Sequence, residues 1–193
     1  ALILAIALRF VLLEFKSLDY YASLKPWYNT IKSEGFSAFA SAFSTYNPPY
    51  LYLLYVIARF LPDLPTVVAV KLPSLIADFL CAWLSLLLVR AHQPAHSSGP
   101  YLAALGVLFC PTVVLNSAFW GQADSLYTAG ILAFVYFAST GRSWRAVLAF
   151  SLALAFKLQT VFLMPMVLAM AFRGQIRWRT LALIPLVLFA AIL

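Results

Sequence analysis

The sequence predicts an all-α integral membrane protein: a multi-span helical bundle whose first extracytoplasmic loop is large and carries short interfacial helices. Three observations predict it. The 193-residue chain is 64% hydrophobic and only 10% charged, with a mean hydropathy of +0.94, whereas soluble domains carry about 25% charge. The apolar residues fall in long runs separated by short arginine-bearing loops. One long polar stretch, Ser17–Tyr50, interrupts them and is the only segment unsuited to a lipid core.

The elements follow in order. Residues 1–15 form a first span, although Ala1–Leu13 would rise only about 20 Å as a helix against a hydrocarbon core of about 30 Å. The run lacks the basic leader and small-residue cleavage site of a signal peptide, and we expect the front part of a longer protein. Residues 16–65 are the outer loop. Within it Tyr20–Ile31 and Phe36–Phe43 have the aromatic content of helices at a membrane–water boundary, with Gly35 as the stop between them. Tyr50–Leu61 is too short to span and is interrupted by Arg59, so it reads as a helix along the surface. Spans are expected at 66–90, 101–119 and 124–139, and a further one begins at 180–193.

The segment 146–172 decides the topology. Arg142 and Arg145 precede it and Arg173, Arg177 and Arg179 follow it. Basic loops prefer the cytoplasm, so both flanks belong on one side. Two short arms meeting near Lys157–Gln159 achieve this, and a 27-residue helix of about 40 Å does not. Asp19, Glu34, Asp63 and Asp124 then fall on the opposite face, near the hairpin tip. Polar groups from separate pieces of chain thus converge on one outer face, as at a binding site.

The net charge of +7 comes from these loops and is no nucleic-acid signature. Cys81 and Cys110 lie within apolar runs and form no CxxC pair. His92 and His96 have metal-ligand spacing, but Pro94 and Gly99 oppose a helix there and no carboxylate is near.

Four charged positions carry the chemical argument. Asp19, just past the first span, is a candidate general base, a carboxylate at the lip of an apolar cavity; its ordinary alternative is a loop aspartate paired with Lys16 or Lys25. Asp124 follows Trp120, Gly121 and Gln122 and suits an N-cap as well as a site. Lys157, alone in the middle of an apolar run, requires a carboxylate, a bound anion or water at a turn, and Gln159 shares its position. Lys71 lies seven residues from Asp78 on one face of the 66–90 span. It either pairs with other helices or approaches the site. Asn47-Pro48-Pro49 is a rigid extended turn that leaves Tyr46 and Asn47 free to touch a substrate.

The order D-Y-Y-x4-P-W-Y, Y-N-P-P-Y-L-Y-L-L, K-L-P-S-L-I-A-D, P-x4-N-S-A-x-W-G-Q-x-D and K-L-Q-T-x3-M-P, from Leu13 to Pro165, resembles the membrane-embedded GT-C glycosyltransferases. It is closest to bacterial relatives of the second mannosyltransferase of GPI-anchor assembly. The resemblance implies a multi-pass protein of the bacterial plasma membrane with its active site on the extracytoplasmic side. It also implies transfer of a mannose or other hexose from a polyprenyl-phosphate donor to a lipid, glycan or protein acceptor. In such enzymes an early loop acid is the candidate base, here Asp19. Tyr20, Trp27, Tyr46, Asn47, Lys71, Trp120, Gln122, Asp124, Lys157 and Gln159 are the expected substrate-binding residues. Tyr20 stands where a second acid often follows the first, so no metal cofactor is expected, although Asp19 with Asp124 would make a two-carboxylate site. A transporter or lipid flippase using Lys157 and Asp78 as ligands, or a non-catalytic membrane subunit, is the alternative.

Overall fold

The computed structural model describes residues 1–192. Helix accounts for 79% of it and no strand is present among the described residues. The first helix, α1 (Leu2–Leu12), ends at a short link to a π-helical turn, Tyr20–Leu24, that runs straight into α2 (Lys25–Glu34). Gly35, at φ 64°, stops α2 as the sequence predicts, and a 3-10 turn, Gly35–Ala40, follows. Helix α3 (Pro48–Phe60) opens on the two prolines, whose missing N–H groups are not needed in a first turn. Tyr28, Ile31, Tyr50 and Leu54 of these elements pack with Val67 and Val70 of the next helix into one cluster. The outer loop is therefore a folded cap and not a tether.

Helix α4 (Thr66–Arg90) has 25 residues and is about 37 Å long. Among the described residues it is the one helix long and apolar enough to cross a membrane; a second qualifies if a bent pair is counted as one. That pair occupies the stretch expected to be a single span at 101–119. Instead α5 (Gly99–Leu108) stops, and α6 (Pro111–Val114) continues as a π-helical segment, Leu115–Trp120, bent by 44°. Pro111 is the cause. It cannot donate to the preceding turn, and it holds Cys110 in the extended conformation that residues before proline prefer, at ψ 118°.

The remaining helices are α7 (Asp124–Ser139), α8 (Ser143–Phe156), α9 (Met164–Phe172) and α10 (Leu183–Ile192), with 3-10 turns at Leu158–Leu163 and Trp178–Ala182. Most apolar helices other than α4 are 10–17 residues long, below spanning length by themselves. Helices α7 and α8 approach closely because Gly130 faces Ala153; a Cβ on Gly130 would lie 2.7 Å from that of Ala153. The chain leaves helix at Lys157 and doubles back, so that Val167, Ala171 and Ile176 pack on Ala146, Val147 and Phe150. Arg142, Arg145 and Arg177 consequently line one hollow, and Lys157 lies at the other end of α8. Neither cysteine is paired, and Cys81 is buried against α7.

Candidate functional site

Two charged side chains of α4 are fully buried, Lys71 and Asp78. The Lys71 ammonium donates to the carbonyls of Leu13 at 3.0 Å and Phe15 at 2.7 Å, and to that of Ala118 at 2.7 Å. It thus ties the end of α1 to the segment that carries Trp120. Asp78 pairs with Arg9 of α1 at 2.9 Å. Its other partners are the hydroxyls of Ser117 and Ser125, each at 2.5 Å. These serines stand at the two ends of the loop that holds Trp120, Gln122 and Asp124. Ser17 closes the arrangement by donating to the Trp120 carbonyl at 2.9 Å while accepting from the Tyr20 N–H at 3.1 Å.

Asp19 follows directly and is half-buried. Its Oδ2 accepts from the Trp120 indole Nε1 at 2.8 Å and the Gln122 Nε2 at 2.6 Å. Two donors orient the carboxylate, and no described residue bonds its Oδ1. Gln122 is positioned because Gly121 turns the chain at φ 83°. A Cβ there would meet Leu24 at 3.2 Å and Lys71 at 3.4 Å, so glycine suits both the left-handed backbone and the space. The Gln122 Oε1 accepts from the Tyr46 hydroxyl at 2.7 Å. Burial, and after it the Asp124 and Asp19 carboxylates, push the Tyr46 phenol up to about 12; at neutral pH it is a donor.

The hairpin tip supplies the cation. Lys157 forms an ion pair with Asp124 Oδ1, the Asn116 amide donates to the other carboxylate oxygen at 3.2 Å, and the ammonium lies 5.3 Å from the centre of the Tyr127 ring. Both members of the pair remain about one-third exposed, at 32% each, so the ammonium keeps access to the cavity beside it. That cavity, of about 380 Å³, is lined by Tyr46, Asn47, Lys157 and Gln159 among others. A smaller one of about 170 Å³ is lined by Asp19, Trp27, Tyr46 and Gln122. Thr45 and Tyr46 belong to both walls, so the carboxylate of Asp19 and the ammonium of Lys157 serve adjoining spaces.

Nine of the expected site residues therefore meet at one end of the bundle: Asp19, Trp27, Tyr46, Asn47, Trp120, Gln122, Asp124, Lys157 and Gln159. Two do not reach these cavities. Tyr20 turns into the core of the cap at 5% exposure, because the π-helical turn after Asp19 points the two side chains apart. Lys71 is held by backbone carbonyls and has a structural place. Asp124 was also expected to cap α7, but its carboxylate makes no cap bond and turns to Lys157 and Asn116 instead. Asn47 lines the larger cavity while its amide donates to the Ala155 carbonyl at 3.0 Å. Sequence reasoning missed Ser17, Asn116, Ser117 and Ser125, whose small polar side chains carry no pattern, and Tyr50, which lines the larger cavity. It also missed Arg9, whose signal was plain: a lone cation inside the first apolar run. Among the described residues no three His, Cys, Asp or Glu side chains gather as metal ligands would.

A family model described as alpha-(1->6)-mannopyranosyltransferase, N-terminal domain, the MptA_B family, matches residues 19–173, from the candidate base through the hairpin. The chain belongs to this family. No curated protein and no solved structure matches it. The MptA_B chain is thus a glycosyltransferase domain whose family transfers mannose. The motif order had pointed to relatives of the GPI-anchor enzyme; the kinship found is to the α-(1→6)-mannopyranosyltransferases. The matched region contains the whole set of cavity-lining residues, while Arg9 and Ser17, which brace it, lie outside.

Proposed function

We propose that this MptA_B domain moves a mannosyl group from a polyprenyl-phosphate donor to an acceptor hydroxyl, in a GT-C type site on the extracytoplasmic face of a membrane, with inversion at the anomeric carbon. The acceptor oxygen forms the new bond to that carbon as the bond to the phosphate oxygen breaks. Asp19 takes the hydroxyl proton, and the phosphate leaves with the electron pair toward Lys157. Trp120 and Gln122 aim the base, Trp27 and Tyr46 offer aromatic faces to the sugar, and Asp124 keeps the ammonium at the cavity wall. The apolar surface beside the hairpin takes the start of the polyprenyl tail. The positive charge that phosphate departure needs comes from Lys157, and the reading assigns no resident metal.

The observation that carries this reading is the pair of adjoining cavities with a carboxylate on one wall and an ammonium on the other. A transporter would draw on Asp78 as a ligand, but Asp78 is fully buried and bonded to Arg9, Ser117 and Ser125. That weighs against the rival reading. Asp19→Asn tests the proposal directly. It keeps both donors' acceptor and the shape, and removes the base. Transfer of labelled mannose from a polyprenyl-phosphate donor should fall by roughly 10²–10⁴-fold with the fold intact, and wild-type turnover in that variant would overturn the assignment.

A further inference from the structure

At the end of α8 far from Lys157 lies a second hollow, of about 450 Å³, that sugar transfer does not use. Arg142, Arg145 and Arg177 line it together with Thr180. No acidic residue occurs in the sequence after Asp124. Among the described residues no hydrogen bond or ion pair engages any of the three guanidinium groups; Arg145 lies only over the Trp144 ring, 5.2 Å from its centre. Like charges drawn together without a counter-charge repel one another, and an anion between them relieves the cost. The start of α8 also opens here without a side-chain cap, leaving first-turn N–H groups and the positive end of a 14-residue helix toward the same space.

The hollow adjoins an apolar groove of about 510 Å³ between α4, α7 and α8. Trp144 and Arg145 line both, and Trp83, Leu148 and Leu152 extend the groove along the bundle. Small residues, Gly130, Ala149 and Ala153, are among those that line the groove. Three free guanidinium groups in one hollow, with Arg145 also lining the apolar groove beside it, match one ligand chemistry, a phosphate ester carrying a long acyl chain.

We propose that this is a binding site for an anionic phospholipid, its phosphate among Arg142, Arg145 and Arg177 and one acyl chain along Trp144, Leu148 and Leu152. The site lies about 20 Å, the length of α8, from Lys157, so it is separate from the space assigned to the sugar donor. The inference rests on the membrane placement of the domain and not on its chemistry. Arginines that merely mark a cytoplasmic loop would attract anionic surfaces diffusely, an effect that salt screens; guanidinium groups around one phosphate bond it in fixed geometry.

The test uses the full-length protein in phosphatidylcholine vesicles containing lipids brominated on their acyl chains, which quench nearby indoles. The Trp144 signal is the difference between wild type and Trp144→Phe. At equal mole fraction and raised salt, brominated phosphatidylglycerol should quench Trp144 several-fold more effectively than brominated phosphatidylcholine. The combined variant R142Q/R145Q/R177Q, all exposed positions, should make the two lipids equal. Equal quenching in the wild type would overturn the proposal, as would selectivity that survives the triple substitution. Displacement of the lipid by inorganic phosphate at modest concentration would show a free-anion site instead and overturn it too. Absence of quenching by either lipid would refute the membrane placement, an outcome that leaves sugar transfer to be judged by its own assay.

Discussion

Replacing Asp78 by asparagine should separate stability from catalysis in this domain. The carboxylate is fully buried and faces Arg9, whose side chain is 4% exposed. Arg9 has two further acceptors, the carbonyls of Ala5 and Leu108 at 3.2 and 3.0 Å, and its Nη2 has none. Removing the counter-charge leaves a buried cation that two carbonyls cannot neutralise, and breaking such a pair costs about 3–5 kcal/mol. The serine bonds are weaker contributors to stability, about 0.6 kcal/mol each by the average for interhelical bonds in membrane proteins. The ion pair therefore dominates the stability loss. Removing both charges, as R9M/D78L, should restore most of it, because desolvated pairs replaced by apolar groups are often neutral or stabilising.

Activity should not return with stability. Ser117 and Ser125 still lose the acceptor that fixes both ends of the loop bearing Trp120, Gln122 and Asp124. A displacement on the order of 1 Å at the reacting groups costs roughly 10²-fold in rate. The assay is paired: reversible unfolding in mixed micelles, and mannosyl transfer under saturating donor. The expected pattern is a large loss of stability in Asp78→Asn, near recovery in the double variant, and a low kcat in both. A stability loss below about 1 kcal/mol in the single variant, or wild-type kcat in the double one, would refute the reasoning.

Two further outcomes are expected. Lys157→Met should lower kcat by roughly 10²–10³-fold, the scale for losing one donor to a developing oxyanion. A chelator should leave wild-type transfer unchanged, since the charge comes from the side chain. The Tyr46 phenol, held up to about 12 in the folded protein against 10.0 in a model peptide, ionises later folded than unfolded. Between those values the unfolded chain binds fewer protons, so stability falls as pH rises from 10 toward 12; ultraviolet titration of tyrosinate should show this late ionisation, and Tyr46→Phe should flatten that part of the stability profile.

The parts of the site legible in the sequence were those where a charge stood against hydrocarbon. Lys157 in an apolar run had to find a carboxylate, an anion or water, and it lies against Asp124 at a cavity wall. Asp19 and Gln122 were legible as polar groups at the ends of spans, but their direct bond was not, because it depends on the turn at Gly121. The break at Pro111 was visible as a residue and overlooked as a consequence, since hydropathy alone runs smoothly across it. Lys71 had two readings in the sequence, a structural partner or an approach to the site, and its actual partners were not legible. A buried lysine seeks oxygen of any kind, and the carbonyls it found lie on chain segments more than 40 residues away. No local pattern announces acceptors that exist only once α1 and the 115–120 segment pack on α4.

The two anchors of α4 explain why a greasy helix keeps charges at all. Lys71 and Asp78 are seven residues apart, about 10 Å along the axis, and each grips the segments on either side of the site. Lys71 holds the chain just before Asp19 and the turn just before Trp120. Asp78 holds α1 through Arg9 and both ends of the 117–125 loop. Apolar contacts could bury these segments, but they are tolerant of sliding by fractions of an ångström. A carboxylate with three directed partners and an ammonium with three close carbonyls are not. The base and its orienting donors thus take their relative position from a rigid third element, and this is why substitution of Asp78, which touches neither cavity, is the sharper test of the mechanism than substitution of residues that line them.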